Sequence, residues 1–137
     1  MLAFALAYGV FVEAFDFQTL WNPHYEGLRI LDYGFIPALG TAPPWFMFMV
    51  GVHTVWSISV PIAIAESLAS SRRTTPWLGT PGLIVAAVLF VLGAGMVILS
   101  TIPRAGNLLT APRLIAALIV IGALLALGWH LGRIPPG

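Results

Sequence analysis

The sequence predicts an all-α integral membrane protein, a bundle of about four transmembrane helices that forms a single domain over residues 1–137. Hydrophobic residues make up 59% of the chain and charged residues 8%, whereas about 25% of the residues in soluble domains are charged. The mean hydropathy is +0.96. Three stretches carry no formal charge, and they lie between Asp32 and Glu66, between Arg73 and Arg104, and between Arg113 and Arg133. Each stretch is long enough to cross about 30 Å of hydrocarbon.

The charges and the cysteine content exclude several function classes. The net charge is +1, and the six basic residues are all arginines that form no basic tract, so nucleic acid is not an expected partner. Without cysteine the chain has no disulfide, no thiolate nucleophile and no Cys-ligated zinc. The expected partners are the lipid bilayer and either other membrane helices or further copies in a homo-oligomer. The richness in Ala, Gly, Pro and Arg is typical of a bacterial protein, here one of the cell membrane, and no pattern identifies a cofactor.

The first helix is predicted near residues 1–16. In "MLAFALAYGVFVEAFDF" twelve apolar residues precede Glu13. We interpret this stretch as a membrane helix and not as a signal peptide, because it has no basic start, no convincing A-x-A site, and runs directly into acidic residues. A start with no polar flank is typical of a fragment or of a closely trimmed reading frame.

The interfacial loop over residues 17–43 is too long for a simple connector. Charged and apolar side chains recur in it at helical spacing: Glu26, Arg29 and Asp32, and Leu28, Leu31 and Phe35. This spacing predicts a short amphipathic helix that lies in the membrane interface, although Gly27 and Gly34 weaken the pattern. A lid over a site is the alternative interpretation.

The remaining helices are predicted near residues 44–68, 81–102 and 113–132. The third helix contains no ionisable group, and the fourth carries small residues at four-residue spacing, which allow close packing of helices. The adjacent pair Arg72–Arg73 favours a cytoplasmic position for residues 69–80 and for the C-terminus, with the 17–43 loop and the 103–112 linker outside.

Polar residues gather on one face of the second helix. At 100° per residue, His53, Thr54, Ser57 and Pro61 share this face, close to the middle of the bilayer. Pro61 predicts a kink, because it cannot donate to the carbonyl of Ser57. The face either packs against another helix with an internally hydrogen-bonded histidine, or it handles a proton or contacts a ligand.

Two acidic residues of the first helix are the best partners for this histidine. Glu13 and Asp16 are one helical turn apart and lie at the membrane face where the second helix begins. Glu13, Asp16, His53 and Ser57 are therefore the candidate residues of a ligand or proton site, and Glu13 and His53 are the candidates for catalysis. Whether a metal binds there is left open, and the alternative is that the two carboxylates simply end the helix in water.

Two resemblances bear on function. The segment "AYGVFVEAFDFQTLWNP", followed by "FMFMVGVHTVWSI", resembles the intramembrane metalloproteases of the CAAX-type prenyl endopeptidase family over about residues 8–66. The resemblance implies that Glu13 and His53 belong to a metal-dependent intramembrane site, although Ala14 stands where that family has a second Glu. The segments "HTVWSISVPIAIAESL" and "RRTTPWLG" resemble uncharacterised bacterial multi-pass membrane proteins.

Three functions remain open from the sequence. The first is a membrane subunit or interaction protein with a polar site between helices one and two. The second is a proton-coupled or ligand-binding module similar to a transporter, which uses Glu13 and His53. The third is an intramembrane metalloprotease-like protein, either active or degenerate.

Overall fold

The computed structural model describes residues 1–69, 71 and 75–133. Within these residues the chain forms helices, turns and loops and no strand, which confirms the predicted all-α fold class. The helices, in chain order, are α1 (Leu2–Phe11), which continues as a π-helical segment (Val12–Asp16); α2 (Pro43–Val52), a second π-helical segment (His53–Ser59) and α3 (Val60–Leu68); α4 (Thr80–Ala105); and α5 (Ala111–Leu131).

Three helices are long and apolar enough to cross a membrane in the part of the chain that the structure describes. They are Pro43–Leu68, Thr80–Arg104 and Ala111–Leu131. The first of these runs through α2, the second π-helical segment and α3 without a break. The helical hydrogen bonds satisfy the backbone groups of all three helices, and their largely apolar side chains can face lipid.

Helix α1 lies at the centre of the bundle. It packs most extensively on α5, and it also contacts α2 and the second π-helical segment, while its own π-helical segment contacts α4. Its buried residues are small, and they include Ala5, Ala7 and Gly9. A Cβ atom on Gly9 would lie 3.1 Å from the carbonyl oxygen of Val50, so glycine allows the two helices to approach closely here.

Helices α2 and α5 both run antiparallel to α1. Ala14, near the end of the first helix, packs in one cluster with Ala117 and Phe46, which lie in the first two turns of α5 and α2. Near the start of α1, Phe4 touches Gly128 close to the end of α5. The end of the first helix, the starts of α2 and α5 and the loop over residues 17–42 therefore lie at the same side of the bundle.

The predicted amphipathic helix in this loop was wrong. Residues 24–41 form turns, because Glu26 (φ 51°), Gly27 (φ 77°) and Gly34 (φ 74°) adopt left-handed backbone conformations that a right-handed helix cannot contain. The expected charge pairing is present, since Arg29 Nε lies 2.7 Å from Asp32 Oδ2, but both side chains are exposed. A turn therefore brings these i, i+3 charges together here without a helix.

The irregularity in the second helix begins before Pro61. The backbone changes from α to π at His53 and returns to α at Val60, so Pro61 falls in the first turn of α3. In this segment the Val60 N–H donates to the carbonyl of Val55, and the Ser59 hydroxyl donates to the carbonyl of Thr54 over 2.7 Å. Pro61 has no N–H to donate, so this continuous helix lacks one backbone hydrogen bond directly after the π-helical segment.

Candidate functional site

Glu13 and His53 meet directly between the first two helices. Glu13 Oε1 lies 2.8 Å from His53 Nε2. Side chains on a helix tilt toward its N-terminus, and the two helices are antiparallel, so the two side chains tilt toward each other. The Glu13 side chain is completely buried and that of His53 is 16% exposed. The sequence predicted Glu13 as a partner of His53, and the structure shows the two side chains in direct contact.

The contact extends at both ends into a chain of hydrogen bonds. The Thr19 hydroxyl donates to Glu13 Oε2 within the buried interior. At the other end, Ser57 Oγ lies 3.0 Å from His53 Nδ1. The ring of Tyr8 packs edge-on against the imidazole, with 6.0 Å between ring centroids. The network therefore runs from a buried threonine to an exposed serine, and we call Thr19, Glu13, His53 and Ser57 the polar chain.

The central residues of the polar chain stand in π-helical segments. Glu13 belongs to the first and His53 and Ser57 to the second. The i→i−5 hydrogen bond that defines a π-helix joins the Phe17 N–H to the carbonyl of Val12 over 3.0 Å. π-Helical residues are well under 1% of residues in globular proteins, and they occur frequently at functional sites. The hydrogen bond between Glu13 and His53 thus joins two π-helical segments.

Asp16 is close to the polar chain but is not part of it. It is buried, and its Oδ1 atom has no hydrogen-bond partner among the described residues. The same is true of the Thr54 hydroxyl, which the sequence placed on the polar face of the second helix. The structure thus joins three of the four predicted site residues and leaves Asp16 next to them.

Sequence reasoning missed Thr19 and Tyr8. A buried carboxylate needs more than one donor, so a search for a second partner of Glu13 among nearby hydroxyl residues would have found Thr19, six residues later. Tyr8 is five residues before Glu13, and nothing in its spacing distinguishes it from the apolar residues around it.

The polar chain has the groups that proton transfer requires. With Glu13 ionised and His53 neutral, the Nε2–H donates to Glu13 and Nδ1 accepts a hydrogen bond from Ser57. The order serine, histidine, carboxylate also occurs in hydrolases, but those enzymes need free N–H donors for a developing oxyanion. Ser57 stands inside a helical segment, where the backbone N–H groups are used by the helix. The geometry therefore favours proton transfer over acyl transfer.

The described residues hold no group of three or more His, Cys, Asp or Glu side chains suited to a metal ion. His130, the remaining histidine in a membrane helix, is two residues beyond Gly128, which touches Phe4 at the start of α1. Glu13 lies nine residues after Phe4 in the first helix, about 13 Å further along the helix axis. His130 therefore lies at the other end of the bundle from the polar chain.

A separate cavity of about 750 Å³ opens beside the loop, at the end of α4. Its lining includes Tyr25, Glu26 and Arg104. Burial raises the pKa of the Tyr25 phenol, the carboxylates of Glu26 and Glu13 raise it further, and the Arg104 guanidinium lowers it. The loop is thus close enough to the first helix for Glu13 to act on its electrostatics.

Comparison with known protein families gives a match over almost the whole chain. A model described as an uncharacterised membrane protein family matches residues 3–133. No curated protein and no solved structure matches the chain. The match supports the predicted likeness to uncharacterised membrane proteins, and no comparison supports the likeness to CAAX-type endopeptidases.

Proposed function

This chain belongs to an uncharacterised family of membrane proteins, and we propose that it is a proton-coupled module of the cell membrane that takes up and releases one proton at the Glu13–His53 pair. The protein crosses the bilayer several times, and the pair lies between its first two helices. The lipid bilayer is its first partner.

One observation carries the proposal, namely the continuous polar chain that connects a fully buried carboxylate to an exposed hydroxyl. An ionisable group at membrane depth is costly, and it is commonly retained because it works on a proton, an ion or a substrate. Here the carboxylate has a titratable partner at 2.8 Å, which can exchange a proton with it directly. The Ser57 hydroxyl, which is exposed on the single chain, lies within hydrogen-bond distance of the second nitrogen of His53.

The transfer is balanced within these groups. A proton that arrives at Nδ1 converts His53 to an imidazolium, and the proton on Nε2 then passes to Glu13 Oε1. The products are a neutral carboxylic acid and a neutral imidazole that carries its proton on Nδ1. The Thr19 hydroxyl holds the second oxygen of Glu13 in place throughout.

Infrared difference spectroscopy tests proton uptake by the site. The purified protein in lipid is taken through a pH step, and the C=O band of a protonated carboxylic acid is recorded. We expect a band that disappears in Glu13→Gln and shifts in His53→Gln. Glu26→Gln is the matched control, because Glu26 is an exposed carboxylate in the loop. Absence of any band assigned to Glu13 would contradict proton uptake there.

Proton flux tests the coupled function. Vesicles that contain the protein and an internal pH dye are exposed to a pH gradient. Glu13→Gln and His53→Gln should slow proton entry by about tenfold or more, a moderate loss for an acid–base group. His130→Gln should leave it unchanged, since His130 lies at the other end of the bundle. Equal entry into wild-type and variant vesicles would rule out the proposed function.

A role as a membrane subunit is the second candidate, and the exposure of α4 favours it. The apolar window of the helix Thr80–Arg104 is 0% buried in the single chain. Cβ atoms added at Gly93 or Gly95 would have no heavy atom of the described residues within 4 Å. A helix surface with this profile can accept another membrane helix at close range. We propose that this second helix is α4 of another copy of the chain.

Cysteine crosslinking tests this candidate cleanly, because the chain has no native cysteine. Single cysteines replace the exposed Leu89, Met96 and Leu99 of α4. Oxidation of the membranes should give a dimer band for at least one of them. No band from any position, together with a monomeric mass in detergent, would exclude a homo-oligomer through this helix.

A further inference from the structure

Two cavities meet between α1, α2, α5 and the loop. The first has a volume of about 220 Å³ and an almost entirely apolar wall that includes Val10, Leu20 and Val120. The second has a volume of about 350 Å³ and includes Arg113. Trp21, Leu39 and Ala116 line both cavities, so the two lie side by side.

The second cavity contains a cation without a carboxylate partner in the part of the chain that the structure describes. The Arg113 guanidinium lies over the Trp21 ring, 5.2 Å from its centroid. Its Nη1 donates to the carbonyl of Leu108 over 2.8 Å. The ion pairs of the described residues are Arg29–Asp32 and His53–Glu13, and neither involves Arg113.

An unused donor stands at the junction of the two cavities. The Trp21 indole Nε1 is buried and has no acceptor among the described residues. The Thr41 hydroxyl, which lines the apolar cavity, is also buried without a partner. Both atoms are covered by protein, so a ligand in the cavities would contact Arg113 and the apolar wall rather than these two donors.

We infer that the two cavities bind one anionic phospholipid, with part of an acyl chain in the apolar cavity and the phosphate beside Arg113. The arrangement is amphipathic in the same sense as the lipid, since the hydrocarbon-lined volume lies beside a guanidinium. Arg113 lies in the first turn of α5, at the level where the first helix ends, and tryptophan beside it is typical of the headgroup region. Basic pockets between membrane helices are suited to anionic headgroups.

A peptide or a soluble metabolite fits these observations less well. The apolar cavity opens between membrane helices, where hydrocarbon is the abundant neighbour. The described lining of both cavities carries one charged side chain, Arg113, and no carboxylate, so a zwitterionic headgroup would find no partner for its ammonium group. Charge complementarity therefore selects phosphatidylglycerol over phosphatidylcholine of the same chain length.

Lipid adducts of the full chain in detergent test the inference, counted by native mass spectrometry, with thermal midpoints measured alongside. Dioleoyl phosphatidylglycerol and dioleoyl phosphatidylcholine are the probes. We expect about one retained phosphatidylglycerol per chain and a higher midpoint with that lipid. Arg113→Gln should abolish the preference, whereas Arg113→Lys should keep part of it, because the charge remains without the planar guanidinium.

Two further variants separate this site from general charge attraction. Arg133→Gln is the matched control, since Arg133 also stacks on a tryptophan, Trp129, at 4.7 Å, but at the other end of the bundle. It should retain the preference. Ala116→Phe places a large side chain in the wall that both cavities share, and it should reduce retention of the lipid while Arg113 is intact.

Three results would overturn the inference: equal retention of the two lipids, an unchanged preference in Arg113→Gln, or an equal loss in Arg113→Gln and Arg133→Gln. If a variant unfolds in detergent, the same counts are made after reconstitution into nanodiscs of mixed lipid composition and mild extraction, with the same expected order.

Discussion

His53 Nε2 lies 2.8 Å from Glu13 Oε1 although 40 residues separate the two along the chain. Each residue stands in a π-helical segment, and the two helices that carry them are antiparallel. The carboxylate is completely buried, so this contact satisfies a group that water does not reach.

The two residues should be energetically coupled. Glu13→Gln and His53→Gln should each lower the free energy of unfolding by about 1–3 kcal/mol, because each leaves the other group short of a partner. The double variant should lose less than the sum of the two. Reversible unfolding in mixed micelles measures all four proteins, and additive losses would show that the residues act independently.

The hydroxyl of Thr19 should also stabilise the fold. Thr19→Val keeps the shape but removes the donor to Glu13, and it should cost about 1–3 kcal/mol of unfolding free energy. Thr19→Ser keeps the hydroxyl and should cost clearly less. Thr101→Val is a second control, because the buried Thr101 donates only within its own helix, to Val97. Equal losses for Thr19→Val and Thr19→Ser would assign the effect to packing.

Gly9 should be intolerant of even one added methyl group. In Gly9→Ala the new Cβ would lie 3.1 Å from the Val50 carbonyl oxygen, so the helices must separate, at a cost of about 1–3 kcal/mol. Gly122→Ala meets no heavy atom of the described residues within 4 Å and should be neutral or stabilising by up to about 1 kcal/mol. Thermal unfolding in detergent compares the two, and similar midpoints would contradict the close approach.

The orientation in the membrane is predicted from the arginines near the helix ends. Residues 69–80 and the C-terminus should face the cytoplasm, and the 17–43 loop and 103–112 linker should face outward. The pair Arg72–Arg73 lies outside the described residues, so labelling must decide. Ser71→Cys should resist an impermeant maleimide in intact cells, whereas Asn107→Cys should react. The reverse pattern would invert the topology.

The fold class could be predicted because it depends on composition and on the spacing of charges along the chain. Glu13 and His53 could be paired because both stand at restricted depths in apolar helices, where few polar partners exist. The bond from the Leu108 N–H to the Gln18 side-chain oxygen, 2.8 Å long, could not be predicted. It joins two loops whose relative position depends on the packing of all the helices.

Local backbone geometry also limited what could be predicted from the sequence. The helical wheel assumes 100° per residue, whereas i→i−5 hydrogen bonds widen the turn over Val12–Asp16 and His53–Ser59. The turns around Gly27 were missed for a different reason, because an i, i+3 pattern of charges fits turns as well as a helix. Both errors come from reading side-chain spacing without the φ and ψ angles that produce it.

The two π-helical segments also have a consequence for the evolution of the family. An i→i−5 bond encloses one residue more than an i→i−4 bond, so each segment is equivalent to a single-residue insertion in an α-helix. Relatives that lack the extra residue should align with a one-residue gap over Val12–Asp16 or His53–Ser59. Loss of one residue turns the rest of the helix by about 100°. An alignment that permits no gaps inside helices would then place a wrong residue opposite His53 and hide the pair.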